Sequence, residues 1–234
     1  MRALLLAAGY GTRLKPLTDT IPKCLVPING KPLLQIWLER LTEVGIGPFL
    51  INTHYLADQV KKFVEQSVYR DCVSLIHEPQ LLGTAGTLIR NLSFFQGQAG
   101  LLIHADNYCL ANFQSFMKAH HERPRDCLMT MMTFQTQDPS SCGIVEIDDR
   151  GAVIAFHEKV KSPPGNLANG AVYILSPEAF RLIGANFVQA KDFSTEILDK
   201  FIGKIFAQKT NNFFLDIGIP DSYALANRVE YEHI

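Results

Sequence analysis

Short apolar runs alternate with segments of helical periodicity through the first half of this 234-residue chain. The apolar runs indicate buried strands, and apolar residues spaced three and four apart indicate helices. Parallel strands need crossover helices between them, and these helices cover both faces of the sheet. The alternation therefore predicts an α/β fold with a mostly parallel sheet. The strands are expected at 3–7, 49–52, 73–77 and 101–105, and the helices at 32–44, 57–68, 84–91 and 113–121.

The pattern changes near residue 125, where strand-like runs follow one another with Gly, Pro and Asp turns between them. Such runs predict antiparallel strands added to the sheet. No linker, repeat or low-complexity segment separates the two parts, so we expect one domain over 1–234 with halves at 1–125 and 126–234. The second half is expected to contain strands at 127–134, 144–147, 153–157 and 171–175 and helices at 177–183, 195–202 and 220–230.

Composition argues against several classes of protein. The chain carries 22 Lys and Arg against 23 Asp and Glu, a net charge of −1, which gives no electrostatic reason to bind nucleic acid or a membrane surface. The 5 cysteines show no C-x-x-C spacing, so reduced thiols and a cytoplasmic location are expected. No apolar run has the roughly 20 residues of a membrane span. The apolar start is short for a signal peptide and leads directly into a Gly-Thr-Arg loop.

The first predicted strand opens into a loop that is suited to binding phosphate. Gly9 and Gly11 leave backbone N–H groups accessible, and Arg13 and Lys23 supply positive charge for phosphate oxygens. A dinucleotide-binding loop needs glycine at the position of Leu14 and an acidic residue at the end of the second strand, and this sequence has neither. The loop therefore favours a nucleoside triphosphate over a dinucleotide.

Six short motifs, taken in order, resemble those of the sugar-1-phosphate nucleotidylyltransferase family. The resemblance extends from residue 1 to about residue 230. It is greatest to compact bacterial members that are grouped with mannose- or heptose-1-phosphate guanylyltransferases and muramate-1-phosphate uridylyltransferases. It implies a Rossmann-like three-layer α/β/α fold. The motifs are Leu-Ala-Ala-Gly-Tyr-Gly-Thr-Arg-Leu at 6–14 with Pro22-Lys23, Leu-Gly-Thr-Ala-Gly at 82–86, Ala-Asp at 105–106, Phe-His-Glu-Lys at 156–159, Asn-Gly-Ala-Val-Tyr at 169–173 and Leu-Asp-Ile-Gly-Ile-Pro at 215–220.

The family resemblance implies transfer of a nucleoside monophosphate from a nucleoside triphosphate, with GTP favoured, to a sugar 1-phosphate of the mannose, heptose or amino-sugar type. The products would be a nucleoside diphosphate sugar and pyrophosphate. In this interpretation the first half binds the nucleotide and the second half binds the sugar phosphate. Two alternatives stay open: a uridylyl- or thymidylyltransferase of the same mechanism, and a non-catalytic regulatory subunit that binds nucleotide sugars. The sequence is compatible with a homo-oligomer.

The resemblance also assigns residues to the nucleotide. Arg13 is expected to hold the triphosphate and the leaving pyrophosphate, and Lys23 to contact the α-phosphate. Glu78 is expected to accept hydrogen bonds from N1–H and N2–H₂ of guanine; the alternative is a surface residue that precedes a helix. The expected nucleotide contacts are Leu6, Ala8, Gly9, Gly11, Thr12, Arg13, Lys23, Glu78, Gly83 and Thr84.

Two aspartates complete the expected catalytic group. Asp106 and Asp216 each follow an apolar run, which is consistent with their lying at the ends of strands. By resemblance they hold Mg²⁺, with substrate phosphates completing the oxygen shell. The alternative is a pair of aspartates that only cap local structure. The expected catalytic residues are therefore Arg13, Lys23, Asp106 and Asp216.

Lys159 is expected to bind the sugar phosphate and Glu158 the sugar hydroxyls. Consecutive residues of a strand point to opposite faces, so a bulge or loop must bring both to one site; the alternative is a solvated Glu–Lys pair. The sequence departs from the family where Gly170 is one place early in Asn-x-Gly-x-Tyr, Phe214 replaces Trp and Ile219 replaces Thr. The expected sugar-phosphate contacts are Asn107, Gly143, Glu158, Lys159 and Asn169.

Overall fold

The computed structural model describes residues 1–229 of the chain. Its strands are β1 (Arg2–Leu6), β2 (Pro27–Ile28), β3 (Lys31–Pro32), β4 (Phe49–Thr53), β5 (Val73–His77), β6 (Gly100–His104), β7 (Asn107–Cys109), β8 (Met129–Gln135), β9 (Gly143–Ile147), β10 (Val153–Glu158), β11 (Leu167–Leu175), β12 (Ile205–Lys209) and β13 (Phe214–Asp216). Its α-helices are α1 (Leu33–Glu43), α2 (Ala57–Gln66), α3 (Gly83–Arg90), α4 (Phe113–Glu122), α5 (Pro177–Asn186) and α6 (Pro220–Ala226).

The elements predicted for the first half are present as β1, β4, β5 and β6 and as α1 to α4. The antiparallel strands predicted after residue 125 are β8 to β11. The helix predicted at 195–202 is wrong in type: a π-helix, Phe193–Ile197, is followed by a 3₁₀-helix, Leu198–Phe201. The last residue of the helix predicted at 220–230 lies outside the described residues. The strands β2, β3, β7, β12 and β13 were not predicted from the sequence.

Two compact units are interleaved along the chain. The N-terminal unit consists of Ala3–Leu81, His104–Ala111 and the described residues 212–229. The central unit consists of Met1–Arg2, Leu82–Ile103 and Asn112–Asn211. The halves predicted from the sequence, 1–125 and 126–234, are instead two continuous segments. Their separate functions stay a prediction.

Parallel strands form the core of the N-terminal unit. β1 pairs with β4 and β4 pairs with β5, all in parallel, with Leu5 opposite Ile51 and Ile51 opposite Leu75. α1 buries Trp37 and Leu38 almost completely, because its apolar residues recur at helical spacing along one face. β7 and β13 form a separate antiparallel pair in the same unit. This pair carries the carboxyl-terminal part of the chain to the segment that follows β6.

The long strand β11 organises the central unit. It pairs antiparallel with β6, β8 and β9, while β10 pairs with β9 and β12 runs parallel to β8. The register between β8 and β11 is interrupted between Asn169 and Tyr173. The α/β class, with parallel strands and added antiparallel strands, is confirmed. Between residues 1 and 229, no helix is both long and apolar enough to cross a membrane.

Candidate active site

The glycine loop after β1 has a conformation that explains its glycines. Gly11 has φ of +65°, in the left-handed region, and a Cβ there would lie 2.9 Å from Thr18 Cγ2 and 3.1 Å from Lys23 Cβ. The buried Thr18 hydroxyl donates a hydrogen bond of 2.8 Å to the Gly11 carbonyl. The loop is therefore held in a shape that other residues cannot adopt without strain.

The other loop residues predicted to contact the nucleotide continue from this strand. Leu6 ends β1, and its carbonyl accepts a hydrogen bond of 3.0 Å from Ala105 N–H. Ala8 is buried, and Thr12 begins a 3₁₀-helix over Thr12–Leu14. The loop and the segment before Asp106 are thus tied together at the end of the first strand.

Lys23 lies at the centre of a group of charges. It begins the 3₁₀-helix Lys23–Leu25 and is only 6% exposed. Its Nζ lies 2.8 Å from Asp106 Oδ2 and 3.4 Å from Asp216 Oδ1, so one ammonium bridges the two carboxylates. These are the two aspartates that the sequence predicts to work together.

The pairing of β7 with β13 explains why two aspartates so distant in sequence lie together. Asp216 is opposite Asn107 in this antiparallel register, and Asp106 immediately precedes β7. Burial acts to raise the pKa of Asp106, but the charges of Lys23 and His104 and the Lys23 hydrogen bond outweigh it and lower that pKa below its usual value. Asp106 is therefore ionised at neutral pH.

Arg13 completes this arrangement. Its Nη2 lies 3.7 Å from Asp216 Oδ2, and its side chain is 66% exposed. A Cβ at Gly218 would lie 2.7 Å from the same Nη2 and 3.0 Å from Asp216 Oδ1, so glycine at this position leaves room for the guanidinium. We call Arg13, Lys23, Asp106 and Asp216 the charge cluster. It contains two cations and two carboxylates within one unit.

The carboxylates of the charge cluster fit a magnesium ion that is held partly by substrate. Their side chains are 42% and 52% exposed, and both offer hard oxygen donors next to the same ammonium. Within residues 1–229, no group of three or more His, Cys, Asp and Glu residues is arranged to hold a metal. Phosphate oxygens would therefore have to supply part of the ion's coordination shell.

Glu78 is not the surface residue of the alternative interpretation, because it is only 4% exposed. It follows β5, and its N–H donates a hydrogen bond of 2.8 Å to the Thr53 carbonyl. Asn52, a buried residue of β4, donates from Nδ2 to Glu78 Oε1 at 3.0 Å and accepts from Ala7 N–H at 2.7 Å through Oδ1. Sequence analysis missed Asn52. The available signal was a polar side chain within a strand that is buried throughout.

In the central unit, Gly83 and Thr84 pack against the segment at 191–193. Gly83 has φ of +78°, and a Cβ there would lie 2.2 Å from the Lys191 carbonyl oxygen. The Thr84 hydroxyl accepts a hydrogen bond of 2.7 Å from Phe193 N–H. The motif therefore has a clear local structural function, and its contact with a nucleotide stays a prediction.

Glu158 and Lys159 lie where strand β10 ends and the chain turns. β10 ends at Glu158, and Lys159 has φ of +50°, so the strand does not continue through it. Lys159 Nζ then lies 3.5 Å from Glu158 Oε1. At Gly143, opposite Glu158 in the sheet, a Cβ would lie 2.6 Å from Glu158 Oε2 and 2.7 Å from the Phe156 ring. Gly143 therefore leaves space for both side chains.

Asn169 is bonded within its own strand. Its Oδ1 accepts from Ala171 N–H at 2.9 Å, and its Nδ2 donates to Tyr173 Oη at 2.7 Å. Ala171 has φ of +51°, so it occupies the left-handed region at the position where the family motif has glycine. The predicted contact Asn107 is buried in the N-terminal unit, where its carbonyl accepts from Trp37 Nε1 at 2.9 Å.

Comparison with known proteins identifies the family to which this chain belongs. The family model described as nucleotidyl transferase matches residues 2–232. The chain belongs to this nucleotidyl transferase family, and the family prediction made from the six motifs is confirmed. An apo structure of UDP-glucose pyrophosphorylase, 21% identical with a TM-score of 0.79 over 97% of this chain and 96% of that one, shares the fold.

Two relatives of the chain are named as guanylyltransferases, and a solved structure of similar fold contains GMP-PN. Mannose-1-phosphate guanylyltransferase catalytic subunit beta of Danio rerio is 31% identical over 95% of this chain and 62% of that protein. The chain thus spans about three fifths of that relative. D-glycero-alpha-D-manno-heptose 1-phosphate guanylyltransferase of Campylobacter jejuni is 30% identical over 95% of this chain and 97% of that protein. The crystal structure of HddC from Yersinia pseudotuberculosis complexed with GMP-PN is 29% identical, with a TM-score of 0.81 over 97% of this chain and 98% of that one.

Proposed function

We propose that this protein transfers GMP from GTP to a sugar 1-phosphate of the mannose or heptose type, giving a GDP-sugar and pyrophosphate. The observation that carries the proposal is the charge cluster, in which Lys23 and Arg13 lie beside Asp106 and Asp216. The names of the relatives support the choice of GTP and of these sugars. An amino sugar stays within the proposed range of acceptors.

The reaction needs positioning and charge rather than a general base. An oxygen of the sugar phosphate, already ionised at neutral pH, attacks the α-phosphorus of GTP. The bond from that phosphorus to the oxygen bridging to the β-phosphate breaks, and pyrophosphate leaves with the electron pair. Arg13 holds the β- and γ-phosphates, and Lys23 binds the α-phosphate oxygens. Fixed positive charges of this kind stabilise the charge that develops in the transition state.

Asp106 and Asp216 would hold Mg²⁺, which supplies positive charge to the phosphate groups when it is bound. The charges within the cluster suit this assignment. The lowered pKa of Asp106 keeps this carboxylate ionised and available as a ligand. The single ammonium of Lys23 offsets part of the negative charge of the two carboxylates through its contacts of 2.8 and 3.4 Å.

Glu78 is the proposed reader of the base, since a carboxylate accepts two hydrogen bonds from N1–H and N2–H₂ of guanine. The glycine loop, Gly83 and Thr84 are the further proposed nucleotide contacts. For the sugar phosphate we propose Lys159 as the cation, Glu158 and Asn169 for the hydroxyls, and backbone N–H of Gly143. The backbone turn at Lys159, which places its ammonium beside Glu158, supports this pair.

The proposed setting follows from composition. Small phosphorylated substrates, rather than nucleic acid or membrane, are the proposed partners of a chain with a net charge of −1. We place the protein in the cytoplasm, where both substrates and reduced cysteines are found.

Pyrophosphate release tests the proposal. GTP, UTP, dTTP, CTP and ATP are each combined with mannose-, heptose-, glucosamine-, muramate- and glucose-1-phosphate in the presence of Mg²⁺. The proposal predicts release with GTP and with mannose- or heptose-1-phosphate. Release with UTP or dTTP alone contradicts the base assignment. No release in any combination, with nucleotide binding still detected by thermal shift, contradicts catalysis and favours a regulatory subunit.

A further inference from the structure

Two residues that the sequence motifs do not include connect the glycine loop to Glu78. We infer that Asn52 and His54 are positioning residues that hold the base-reading carboxylate and the phosphate loop as one hydrogen-bonded unit, and that Asn52 thereby sets the preference for guanine. The inference rests on the proposed function, because it assumes that Glu78 reads the base. Both residues lie at or just after the end of β4.

The first connection is buried. Ala7 N–H can only donate, so the atom of Asn52 at 2.7 Å from it must be the acceptor Oδ1. The amide nitrogen then faces Glu78 Oε1 at 3.0 Å and donates to it. Asn52 is 4% exposed, so both bonds are made away from water, where a lost partner is costly. A side-chain amide suits this position because it accepts through one atom and donates through another without carrying a charge.

The second connection is more exposed and ends on the backbone of the same glutamate. His54 Nδ1 lies 2.6 Å from the Glu78 carbonyl oxygen, which can only accept, so this nitrogen is the donor. His54 Nε2 lies 2.9 Å from the hydroxyl of Tyr10, the residue between the two loop glycines. The Tyr10 ring also meets the His54 ring edge to face, with centroids 5.3 Å apart.

Together these contacts fix both the side chain and the backbone of Glu78 relative to the glycine loop. A displaced Glu78 would lose its alignment with the guanine edge even if it stayed ionised. A displaced loop would bind every nucleoside triphosphate less tightly, whatever its base. The ratio of GTP to UTP affinity therefore reports on the Asn52 contact with the carboxylate, and a general loss of nucleotide affinity reports on the loop.

Exchanging the amide of Asn52 and the carboxylate of Glu78 between the two positions provides the test. Asn52→Asp keeps an acceptor for Ala7 N–H but places a second carboxylate against Glu78. Glu78→Gln keeps an acceptor for Asn52 but removes the carboxylate from the base site. The double variant restores a donor–acceptor pair with its direction reversed, because the amide introduced at position 78 donates to the carboxylate introduced at position 52. Asn186→Asp, at an exposed position at the end of α5, is the matched control for the added charge.

Affinities for GTP and UTP are measured by calorimetry, and thermal stability is measured alongside. We expect Asn52→Asp to lose about tenfold or more of the GTP-over-UTP ratio and to melt at a lower temperature. The double variant should regain the thermal stability while keeping the ratio of Glu78→Gln. Asn186→Asp should keep the wild-type ratio.

The outcomes separate this inference from the proposed function. If Glu78→Gln loses the GTP preference while Asn52→Asp keeps it, Asn52 does not position the base reader and the inference is wrong. If Glu78→Gln keeps the preference, the base assignment itself is wrong, and the inference fails with it. If Asn52→Asp does not fold, a folded double variant supports the pairing, and an unfolded one overturns it.

Discussion

The charge cluster and the residues proposed for the sugar phosphate are built by different means. Arg13, Lys23, Asp106 and Asp216 hold one another through opposite charges, and Lys23 alone contacts both carboxylates. In the central unit, Gly143 leaves space for the Glu158 side chain, and Lys159 and the Ala171 backbone next to Asn169 have positive φ.

Substitutions in the two regions are therefore expected to affect different properties, namely catalysis in one and folding in the other. A substitution in the charge cluster is expected to change nucleotide binding and turnover more than it changes folding, because Arg13 and the two carboxylates around Lys23 are partly exposed and can move. A substitution at Gly143, among the residues proposed for the sugar phosphate, is expected to change folding first, because the Glu158 and Phe156 side chains must both shift to accept it. Four substitutions test this distinction.

The largest effect is expected for Lys23→Met. It removes the ammonium between the two carboxylates and the proposed contact with the α-phosphate. We expect pyrophosphate release to slow by about 100- to 1,000-fold, the range seen when one preorganised donor is lost from a transition-state site. Lys61→Met, which removes a lysine from an exposed pair with Glu65, should leave the rate unchanged. A Lys23→Met rate within a factor of a few of wild type would exclude Lys23 from the reaction.

Gly143→Ala is expected to destabilise the central unit. The added methyl would lie 2.6 Å from Glu158 Oε2 and 2.7 Å from the Phe156 ring, so two side chains must shift together to accept it. We expect a loss of about 1–3 kcal/mol in the free energy of unfolding, measured with denaturant, together with a higher KM for the sugar 1-phosphate. At Gly165 an added Cβ meets nothing within 4 Å, so Gly165→Ala is the matched control. Equal stability of the two variants would contradict the steric argument.

Gly218→Ala is expected to change the KM for GTP but not the stability of the protein. Its methyl would lie 2.7 Å from Arg13 Nη2, the far end of a flexible and largely exposed side chain. The guanidinium can rotate away, so the free energy of unfolding should hardly change. Its displacement should raise the KM for GTP by about tenfold, a cost similar to that of one weakened hydrogen bond to a charged group. A large loss of stability with an unchanged KM for GTP would contradict the claim that substitutions beside the charge cluster affect binding more than folding.

The smallest effect is expected for Ala171→Gly. Ala171 has φ of +51°, a conformation that costs an alanine roughly 1–2 kcal/mol and a glycine very little. Glycine also gains freedom in the unfolded chain, so the net stabilisation should be about 1 kcal/mol or less. Ala168→Gly, in the same strand and fully buried, should instead destabilise the protein. A destabilised Ala171→Gly variant would show that the backbone at this position is not strained.

Most of the fold of the first half could be predicted, because period-two and period-3.6 patterns are local properties of the chain. Strands β1, β4, β5 and β6 are apolar runs with glycine or polar residues at their ends. The π-helix at Phe193–Ile197 could not be told from an α-helix, since both begin at the same kind of cap: Asp192 accepts from Thr195 N–H at 2.8 Å. β13 has three residues, and long-range pairing with β7 decides whether such a short segment forms a strand.

For the charge cluster, the sequence predicted which residues take part but not how they are brought together. Each of its four residues could be named from its motif, but nothing in the spacing gives the antiparallel register that places Asp216 opposite Asn107. Asn52 was missed because a polar residue in a buried strand has no motif, and its importance follows only from its two hydrogen bonds. The strain at Ala171 was indicated by the sequence, as a glycine one place early, but its meaning required the value of φ.

The central claim is that the sugar phosphate attacks the α-phosphorus of GTP, and the fate of a labelled phosphate tests it. The protein is incubated with Mg²⁺, mannose- or heptose-1-phosphate and GTP labelled either at the α- or at the γ-phosphorus. Attack at the α-phosphorus predicts that the α-label appears in a GDP-sugar and the γ-label in pyrophosphate, in equal amounts, and that Lys23→Met slows the appearance of both by about 100- to 1,000-fold. Transfer of the γ-label to the sugar, or release of the α-label as free GMP, would contradict nucleotidyl transfer by the charge cluster.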